Sequence, residues 1–301
     1  MEKPLVTIIV VSYNHGRFIR ENLESIRNQT YDNIQLIVGD DASKDNSVEI
    51  FEQWLQENNY PAERNFHAEN TGLATMLNEC ITLAKGKYIK LIAADDFLHH
   101  EAIEKYVSKL ESSGEEYGMV FSNTHTVDEN SFIVKDFADY DSLGNIDPHI
   151  FRKELIKGNR IAALTVLLKT DVIKETGKYD TRFIVEDYFR WLKISEKYLI
   201  AYIPEKLTYY RMHPQNTSKT KAEKIELETT QLQIMFDLEG SVKDKVNSYT
   251  HRYYLSGKKL PEDYINVYHH YPFKIKRLDW AIRSKIPPMF YKVINKIAEM
   301  K

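Results

Sequence analysis

Short apolar runs alternate with amphipathic stretches through the first hundred residues of the chain. Residues 5–14, LVTIIVVSYN, form a continuous β-branched run of the kind found in strands that are buried on both faces. Residues 16–29 follow with apolar side chains at helical spacing. Further strands are predicted in residues 33–43, NIQLIVGDDAS, and 87–93, KYIKLIA, and two amphipathic helices are predicted between them. This alternation predicts an α/β fold with a largely parallel sheet and helices on both faces.

The rest of the chain is less regular. Residues 117–128 and 162–170 have the pattern of further strands, and residues 182–198 contain a helix that begins near Glu186 and Asp187. From about residue 219 the pattern is helical throughout. We therefore predict one α/β domain over residues 1–218 and a helical C-terminal extension over residues 219–301.

Polar side chains gather at the points where three predicted strands end. These strand ends are Ser12-Tyr13-Asn14, Asp40-Asp41 and Asp95-Asp96. In α/β sheets, ligands bind outside the carboxyl ends of the strands, where polar groups do not disturb the core. The sequence therefore predicts a ligand site at this edge of the sheet.

Composition narrows the class of protein. The chain of 301 residues has a formal net charge of −3, so it lacks the basic field that nucleic-acid binding requires. Its single cysteine cannot form an intramolecular disulfide, and no apolar run is long enough to span a membrane. These features lead us to expect a cytoplasmic protein with no nucleic-acid partner.

Each candidate group at the strand ends has a structural alternative to a functional role. Asp95 and Asp96 either supply the hard oxygen ligands that Mg²⁺ or Mn²⁺ prefers or form a solvated turn and a helix cap. Asp40 either accepts a hydrogen bond from a nucleobase or belongs to a turn-rich loop. Tyr13 either stacks on a base or packs against the protein.

The second half of the chain offers further candidates. Glu186 and Asp187 either complement a helix dipole or provide a general base. His213 is either a ligand of a metal or phosphate or an ordinary loop residue before a proline, and the nearby Arg211 can neutralise phosphate charge.

The order of these pieces resembles the inverting family 2 glycosyltransferases, which have the GT-A fold. The matching segments are VTIIVVSYNHGRFIRENLESIRNQTYDNIQLIVGDDASKDNS, NTGLATMLNECITLAKGKYIKLIAADD, VEDYFRWLKI and YYRMHPQN. They cover roughly residues 4–218, and the first is highly specific in order and spacing. The resemblance implies a GT-A domain with a Rossmann-like, mostly parallel sheet over residues 1–218.

The resemblance also implies roles at the matching positions. Val11, Ser12, Tyr13 and Asn14 would surround the nucleotide of the donor, and Asp40 would accept a hydrogen bond from its base. Asp95 and Asp96 match the family's DXD region, in which one carboxylate contacts the donor and the other the metal.

Asp187, beside Glu186, would be the catalytic base, while Arg211 and His213 would face the diphosphate, His213 on the metal. Two positions depart from the pattern. Ala93 replaces the first carboxylate of the metal strand, and Gly39 stands where an aliphatic residue is common, which would loosen the base pocket.

The implied activity is metal-dependent, inverting transfer of a sugar from a UDP- or dTDP-sugar, with Mn²⁺ or Mg²⁺. The acceptor would be a hydroxyl of a glycan or lipid-linked acceptor in surface polysaccharide synthesis. Two alternatives stay open: a non-catalytic sugar-nucleotide-binding scaffold and a nucleotidyltransferase.

Residues 273–297 mix basic and apolar side chains in a pattern that Pro287-Pro288 interrupts. Such a basic amphipathic segment either lies at the inner face of the cell membrane as a peripheral attachment or packs on protein. In the second case it covers the catalytic domain or a partner subunit of a homo-oligomer.

Overall fold

The computed structural model describes residues 3–136 and 141–299. The chain divides into two compact units. The first comprises the described residues up to 152 together with 159–222, and the second comprises 153–158 together with the described residues from 223 onward. The short segment 153–158 therefore belongs to the second unit although it lies far from it in sequence, which no local pattern indicated.

The first unit contains a single mixed sheet. Its strands are β1 Val6–Ser12, β2 Ile34–Asp40, β3 Ala62–Phe66, β4 Tyr88–Ala93, β5 Phe97–Leu98, β6 Tyr117–Val127, β7 Ile133–Val134, β8 Val166–Lys169 and β9 Leu199–Arg211. Their order is β3-β2-β1-β4-β8-β6-β9-β5, and β7 pairs with β6. The sheet confirms the predicted α/β class.

Most of the pairing in this sheet is parallel, as expected, and this includes the long pairing of β6 with β9, but the parallel part is interrupted. β3, β2, β1 and β4 are parallel neighbours, because helices connect them as crossovers. β8 then runs antiparallel to both β4 and β6, and β5 is antiparallel to β9. An apolar run has the same pattern whether its strand is parallel or antiparallel to its neighbours, so the sequence of β8 could not reveal this reversal.

The strand β3 was not predicted. It has the sequence AERNF, with side chains that are half-buried or exposed, and it forms one edge of the sheet. An edge strand of this kind lacks the apolar run on which strand prediction depends.

The helices follow the strands as the amphipathic pattern predicts. Those up to residue 220 are α1 Gly16–Arg27, α2 Ser47–Glu57, α3 Leu73–Leu83, α4 Ala102–Ser112, α5 Asp141–Gly144, α6 Phe151–Leu155, α7 Thr170–Thr176, α8 Glu186–Ile194 and α9 Thr217–Thr220. Five more follow: α10 Ala222–Phe236, α11 Lys243–Leu255, α12 Glu262–His270, α13 Lys276–Arg283 and α14 Pro288–Glu299. Among the described residues, no helix has both the length and the hydropathy needed to cross a membrane.

Glycine at position 39 does not leave a gap at the end of β2. A Cβ there would lie 2.7 Å from Met76 Sδ and 3.2 Å from Cys80 Sγ. Side chains of α3 therefore fill the space that an aliphatic residue would take, so the loosening expected from Gly39 is not seen.

The core of the second unit is rich in tyrosines with bonded hydroxyls. Tyr268 donates to Asn247 Oδ1 at 2.7 Å, and Tyr271 donates to Asp237 Oδ2 at 2.6 Å. Buried phenols normally need such partners, because an unpaired hydroxyl costs free energy in an apolar interior. These bonds fix the helices of this unit relative to one another.

Candidate functional site

The ends of β1, β2 and β4 lie side by side. Ser12 is in register with Asp40 on one side, and Val11 is in register with Ala93 on the other. The backbone continues this pairing past the strands, since the Ala94 amide donates to the Val11 carbonyl at 2.9 Å. Asp40 and the Asp95-Asp96 pair therefore flank the end of β1, about two strand spacings (~10 Å) apart.

On the β2 side, Asp40 organises the loop that follows it. Its Oδ1 accepts from the Ser43 amide at 2.8 Å, and its Oδ2 accepts from the Ser43 hydroxyl at 2.6 Å. Ser43 Oγ in turn accepts from the amide of Asn14, whose φ of 59° is left-handed. Each carboxylate oxygen has a further lone pair, but Asp40 is fully buried, so these lone pairs are not open to solvent.

The residues around the end of β1 differ in exposure. Val11 and Ser12 are buried, whereas Tyr13 is 45% exposed and so presents its ring to solvent. Asn14 closes the loop, because its Oδ1 accepts from the Lys44 amide at 2.7 Å. Ser12 Oγ is buried and has no hydrogen-bond partner within the described part of the chain.

Asp41 has a different role from its neighbour. Its carboxylate accepts from the amides of Thr71 and Gly72, each at 2.8 Å, and it also contacts His67. Burial opposes ionisation, but these hydrogen bonds outweigh it and lower the pKa of Asp41. Asp41 therefore anchors the loop before α3, which the sequence pattern did not indicate.

The two carboxylates after β4 also differ from each other. Asp96 accepts the Arg211 amide at 2.8 Å, and burial together with the adjacent charge of Asp95 raises the pKa of Asp96. Asp95 contacts two histidines: its Oδ2 lies 2.9 Å from His213 Nε2, and its Oδ1 lies 3.6 Å from His15 Nδ1. Burial disfavours the charge of Asp95, but the His213 hydrogen bond and the two histidines outweigh it and lower the pKa of Asp95.

His15, Asp95 and His213 can hold a metal ion. One ligand atom from each lies within 4.8 Å of the others. His15 Nδ1, Asp95 Oδ1 and His213 Nδ1 are buried and lack hydrogen-bond partners among the described residues. Unsatisfied buried polar atoms are rare, and a cation would satisfy those that face it. The donor set fits a divalent ion, and it contains His15, which the sequence analysis did not single out, but not Asp96.

Arg211 lies inside the protein rather than on a cleft. Its Nε donates to the Asp95 carbonyl at 2.7 Å, its Nη1 donates to the Asp128 carbonyl at 3.0 Å, and its Nη2 contacts Glu21. The side chain is 1% exposed and stacks over Phe18. This geometry favours positioning of the Asp95-Asp96 segment over the contact with a diphosphate that the sequence led us to expect.

Glu186 and Asp187 begin α8, as predicted. Asp187 Oδ1 accepts from the Tyr188 amide at 2.6 Å, and its Oδ2 accepts from Asn159 Nδ2 at 3.0 Å. Burial nevertheless dominates and raises the pKa of Asp187. Glu186 is buried beside it.

Tyr210 links Asp187 to the carboxylates after β4. Burial raises the pKa of Tyr210 to about 12, and the charges of Asp96, Asp95 and Asp187 add to this shift. All three carboxylates therefore lie close enough to act on one phenol. A carboxyl whose pKa is raised toward neutrality, as that of Asp187 is, suits general-base chemistry.

The profile of the family described as "Glycosyl transferase family 2" matches residues 7–159. The chain belongs to this family. An Escherichia coli relative, UDP-Glc:alpha-D-GlcNAc-diphosphoundecaprenol beta-1,3-glucosyltransferase WfaP, is 30% identical over 219 residues, which cover 72% of this chain and 81% of that protein. An uncharacterized glycosyltransferase of Methanocaldococcus jannaschii is 28% identical over 221 residues, which cover 70% of this chain and 72% of that one.

Solved structures share the fold, which is therefore GT-A as the resemblance implied. S. aureus TarS 1-349 in complex with UDP matches with a TM-score of 0.65 and 16% identity, covering 99% of this chain and 92% of that one. The mannosyltransferase PcManGT from Pyrobaculum calidifontis, in complex with GDP-Man and Mn²⁺, matches with a TM-score of 0.60 and 17% identity, covering 99% and 76%. The chain is therefore a glycosyltransferase enzyme.

Proposed function

We propose that this glycosyltransferase transfers a sugar, with inversion, from a UDP- or dTDP-sugar to a hydroxyl of a glycan or lipid-linked acceptor in surface polysaccharide synthesis. The observation that carries the proposal is the cation-competent His15–Asp95–His213 cluster, in which His15 and Asp95 follow the carboxyl ends of the neighbouring strands β1 and β4. The E. coli relative is named for a UDP-glucose donor and a diphosphoundecaprenol-linked acceptor, which supports this choice of substrates.

The donor site would form at the ends of β1 and β2. Tyr13 offers an exposed ring on which a base can stack, whereas Asp40 is fully buried and would accept from a base N–H only once the loop that it holds through Ser43 opens. Uracil and thymine share this N–H, so both donors fit. Asn14 and Ser43 hold Asp40 in place rather than contacting the base.

Asp95 and His213 would hold the divalent cation. When bound, the cation stabilises the negative charge that develops on the departing diphosphate. Asp96 and Arg211 would act indirectly, because the Arg211 amide fixes the Asp96 carboxylate and its guanidinium fixes the Asp95 carbonyl.

Asp187 would remove the proton from the acceptor hydroxyl as that oxygen attacks the anomeric carbon. The new C–O bond forms on the face opposite the departing diphosphate, so a single displacement inverts the anomeric centre. The raised pKa brings the carboxyl closer to neutral pH and makes it a stronger base than an ordinary aspartate.

Product analysis tests the proposal directly. The purified chain is incubated with a panel of nucleotide sugars, Mn²⁺ and a lipid-diphosphate glycan acceptor. Free nucleoside diphosphate and a product with inverted anomeric configuration by NMR are expected. Pyrophosphate as product would instead establish nucleotidyl transfer, and saturable donor binding without turnover or donor hydrolysis would establish a binding scaffold.

The second unit presents a surface that fits an anionic membrane. Helix α14 exposes a run of large apolar side chains: Met289, Phe290, Val293, Ile294 and Ile297. At 100° per residue they span about 140° of the helix, and Lys292 and Lys296 border that face. Tyr291 is buried on the opposite side. Apolar side chains bordered by lysines match the interior and headgroups of an anionic lipid surface, which is therefore our proposed occupant.

Vesicle co-sedimentation tests this attachment. Wild-type protein is expected to bind phosphatidylglycerol vesicles and to bind phosphatidylcholine vesicles weakly, and the double variant Phe290→Ser, Ile294→Ser is expected to lose binding. Phe132→Ser, which changes another exposed phenylalanine, is the matched control and should bind as wild type does. Equal binding of the double variant would refute the proposal, and dimerisation through α14, measured by light scattering, would assign the face to a second copy.

A further inference from the structure

His15 occupies a position where the fold allows it to reach Asp95. It is the last of the three residues between β1 and α1, and its amide donates to Ser47 Oγ at 3.2 Å. The next amide, of Gly16, donates to Asp45 Oδ2 at 2.9 Å, and the His15 carbonyl accepts from Phe18. The backbone of His15 is therefore held on both sides by hydrogen bonds, which leaves only its side-chain torsions free.

The ring of His15 lies next to the two other candidate ligands. Its Nδ1 is 3.6 Å from Asp95 Oδ1, and its ring centroid is 6.2 Å from that of His213 in an edge-on arrangement. The pair is too long for a hydrogen bond, and both atoms lack partners within the described residues. Phe18 packs on the other side of His213, with ring centroids 5.7 Å apart.

We propose that His15 is a direct ligand of the cation together with Asp95 and His213. We further propose that its imidazole makes the site select Mn²⁺ or another transition ion over Mg²⁺. The inference rests on the proposed metal-dependent function and adds to it a residue and a metal preference.

The separations suit a shared ion. Two ligand atoms each about 2.1 Å from a metal stand about 3.0 Å apart at an octahedral angle and about 3.4 Å apart at a tetrahedral angle. Asp95 Oδ2 lies 2.9 Å from His213 Nε2 and Asp95 Oδ1 lies 3.6 Å from His15 Nδ1, so one pair is slightly closer and the other slightly farther apart than these separations. One ligand atom from each of the three residues lies within 4.8 Å of the others. Binding of one ion by all three residues would need a small shift of the His15 ring, which is 20% exposed.

The chemical character of the donors decides the preference. Mg²⁺ binds carboxylates, phosphates and water, and it gives up water reluctantly. Imidazole nitrogens favour transition metals and zinc. A site that supplies one carboxylate and two imidazoles, with the remaining positions open to water or diphosphate, therefore favours the transition ion.

Direct binding measurements test the role of His15 without donor or acceptor. Mn²⁺ is titrated into the metal-free full chain and followed by calorimetry and by the EPR signal of free Mn²⁺. We expect His15→Gln and His213→Gln each to weaken Mn²⁺ binding at least tenfold, because loss of a direct ligand costs no less than loss of a residue that orients one. His149→Gln, at an exposed histidine of the same unit, is the matched control and should bind as wild type does.

Pulsed EPR of the Mn²⁺-loaded wild type supplies a readout that needs no variant. Two imidazole nitrogens are expected on the ion, and one is expected after His15→Gln. The ratio of the Mg²⁺ to the Mn²⁺ dissociation constant should fall in His15→Gln and fall further in His15→Asp, which replaces nitrogen with oxygen.

The outcomes separate this inference from the proposed function. A single imidazole on Mn²⁺ in the wild type, or unchanged Mn²⁺ affinity in His15→Gln, overturns the role of His15 and leaves metal dependence standing. Absence of Mn²⁺ binding by the wild type, with and without UDP, overturns both the metal-dependent mechanism and the ligand.

Discussion

Replacement of Asp187 by asparagine separates a catalytic base from a structural carboxylate. Asparagine keeps an oxygen to accept the Tyr188 amide, which Asp187 Oδ1 accepts at 2.6 Å. Its amide nitrogen can donate to the side-chain oxygen of Asn159 once the Asn159 amide group is turned over. The fold should therefore tolerate the change, while the capacity to accept a proton is lost.

The Asp187→Asn substitution should lower activity without lowering stability. General-base catalysis contributes roughly 10²–10⁴ in rate, or about 2.7–5.4 kcal/mol of transition-state stabilisation. Burial raises the pKa of Asp187, so the folded state disfavours its charged form and stability falls as pH rises through that pKa. At neutral pH the neutral asparagine removes this penalty, so the melting temperature should hold or rise while turnover falls at least a hundredfold.

The assay measures kcat and donor dissociation constant across pH. Wild-type kcat should fall with decreasing pH as Asp187 takes up a proton, at a pH above the ordinary range for aspartate, because its pKa is raised. Asp187→Asn should lose that limb and bind donor as wild type does. Asp171→Asn, which changes a carboxyl that is 96% exposed near the start of α7, is the control. Near wild-type turnover of Asp187→Asn, or a melting temperature that falls in step with activity, would refute the assignment.

Three further changes test the groups around the cation site. Asp95→Asn should weaken Mn²⁺ binding strongly and Asp96→Asn only slightly, since asparagine at 96 can still accept the Arg211 amide; calorimetry that found equal losses would contradict this division. Arg211→Met should destabilise the fold by about 3 kcal/mol in urea unfolding, because it leaves buried carbonyls unpaired, yet leave the affinity of the folded protein for UDP without metal nearly unchanged. Burial lowers the pKa of Lys90 to about 7, so its charged form penalises the folded state below that pH, and the penalty fades as pH rises toward 10.5. Lys90→Met removes this penalty but also leaves the Leu164 and Val166 carbonyls unpaired, so the urea midpoint of the variant relative to wild type should be higher at pH 6.5 than at pH 9, and an equal difference at both would refute the link.

The strand ends could be predicted because local sequence determines them. β1, β2 and β4 are continuous apolar runs, and the polar residues that end them meet at one edge in any parallel arrangement. The same logic could not show which carboxylate of Asp95 and Asp96 faces a ligand. That distinction depends on the Arg211 amide, which belongs to a strand more than a hundred residues later.

Arg211 and His15 mark the limits of sequence reasoning in opposite ways. An arginine near a predicted phosphate site suggests ligand contact, yet burial against Phe18 and the Asp95 carbonyl directs its donors inward. His15 lies in a loop after a strand, a position that by itself does not indicate a ligand. It reaches His213 only because α1 packs beside the end of β9 and the loop that follows β9. Residue type and local pattern identify the chemistry available, but tertiary packing determines which groups share a site.

β9 controls both halves of the candidate site. It ends at Arg211, whose amide and guanidinium hold the Asp95-Asp96 segment, and His213 follows two residues later at Asp95. The same strand carries Tyr210, and the charges of Asp96, Asp95 and Asp187 contribute to the raised pKa of its hydroxyl. A displacement of this strand end would therefore move the cation ligands and disturb the surroundings of the base together. Preorganisation of this kind matters for catalysis, because groups that are fixed before the reaction need no rearrangement as charge develops. Variants at Arg211 should accordingly alter metal affinity and the acidic limb of the pH profile in the same protein, although Arg211 itself touches neither the ion nor the base.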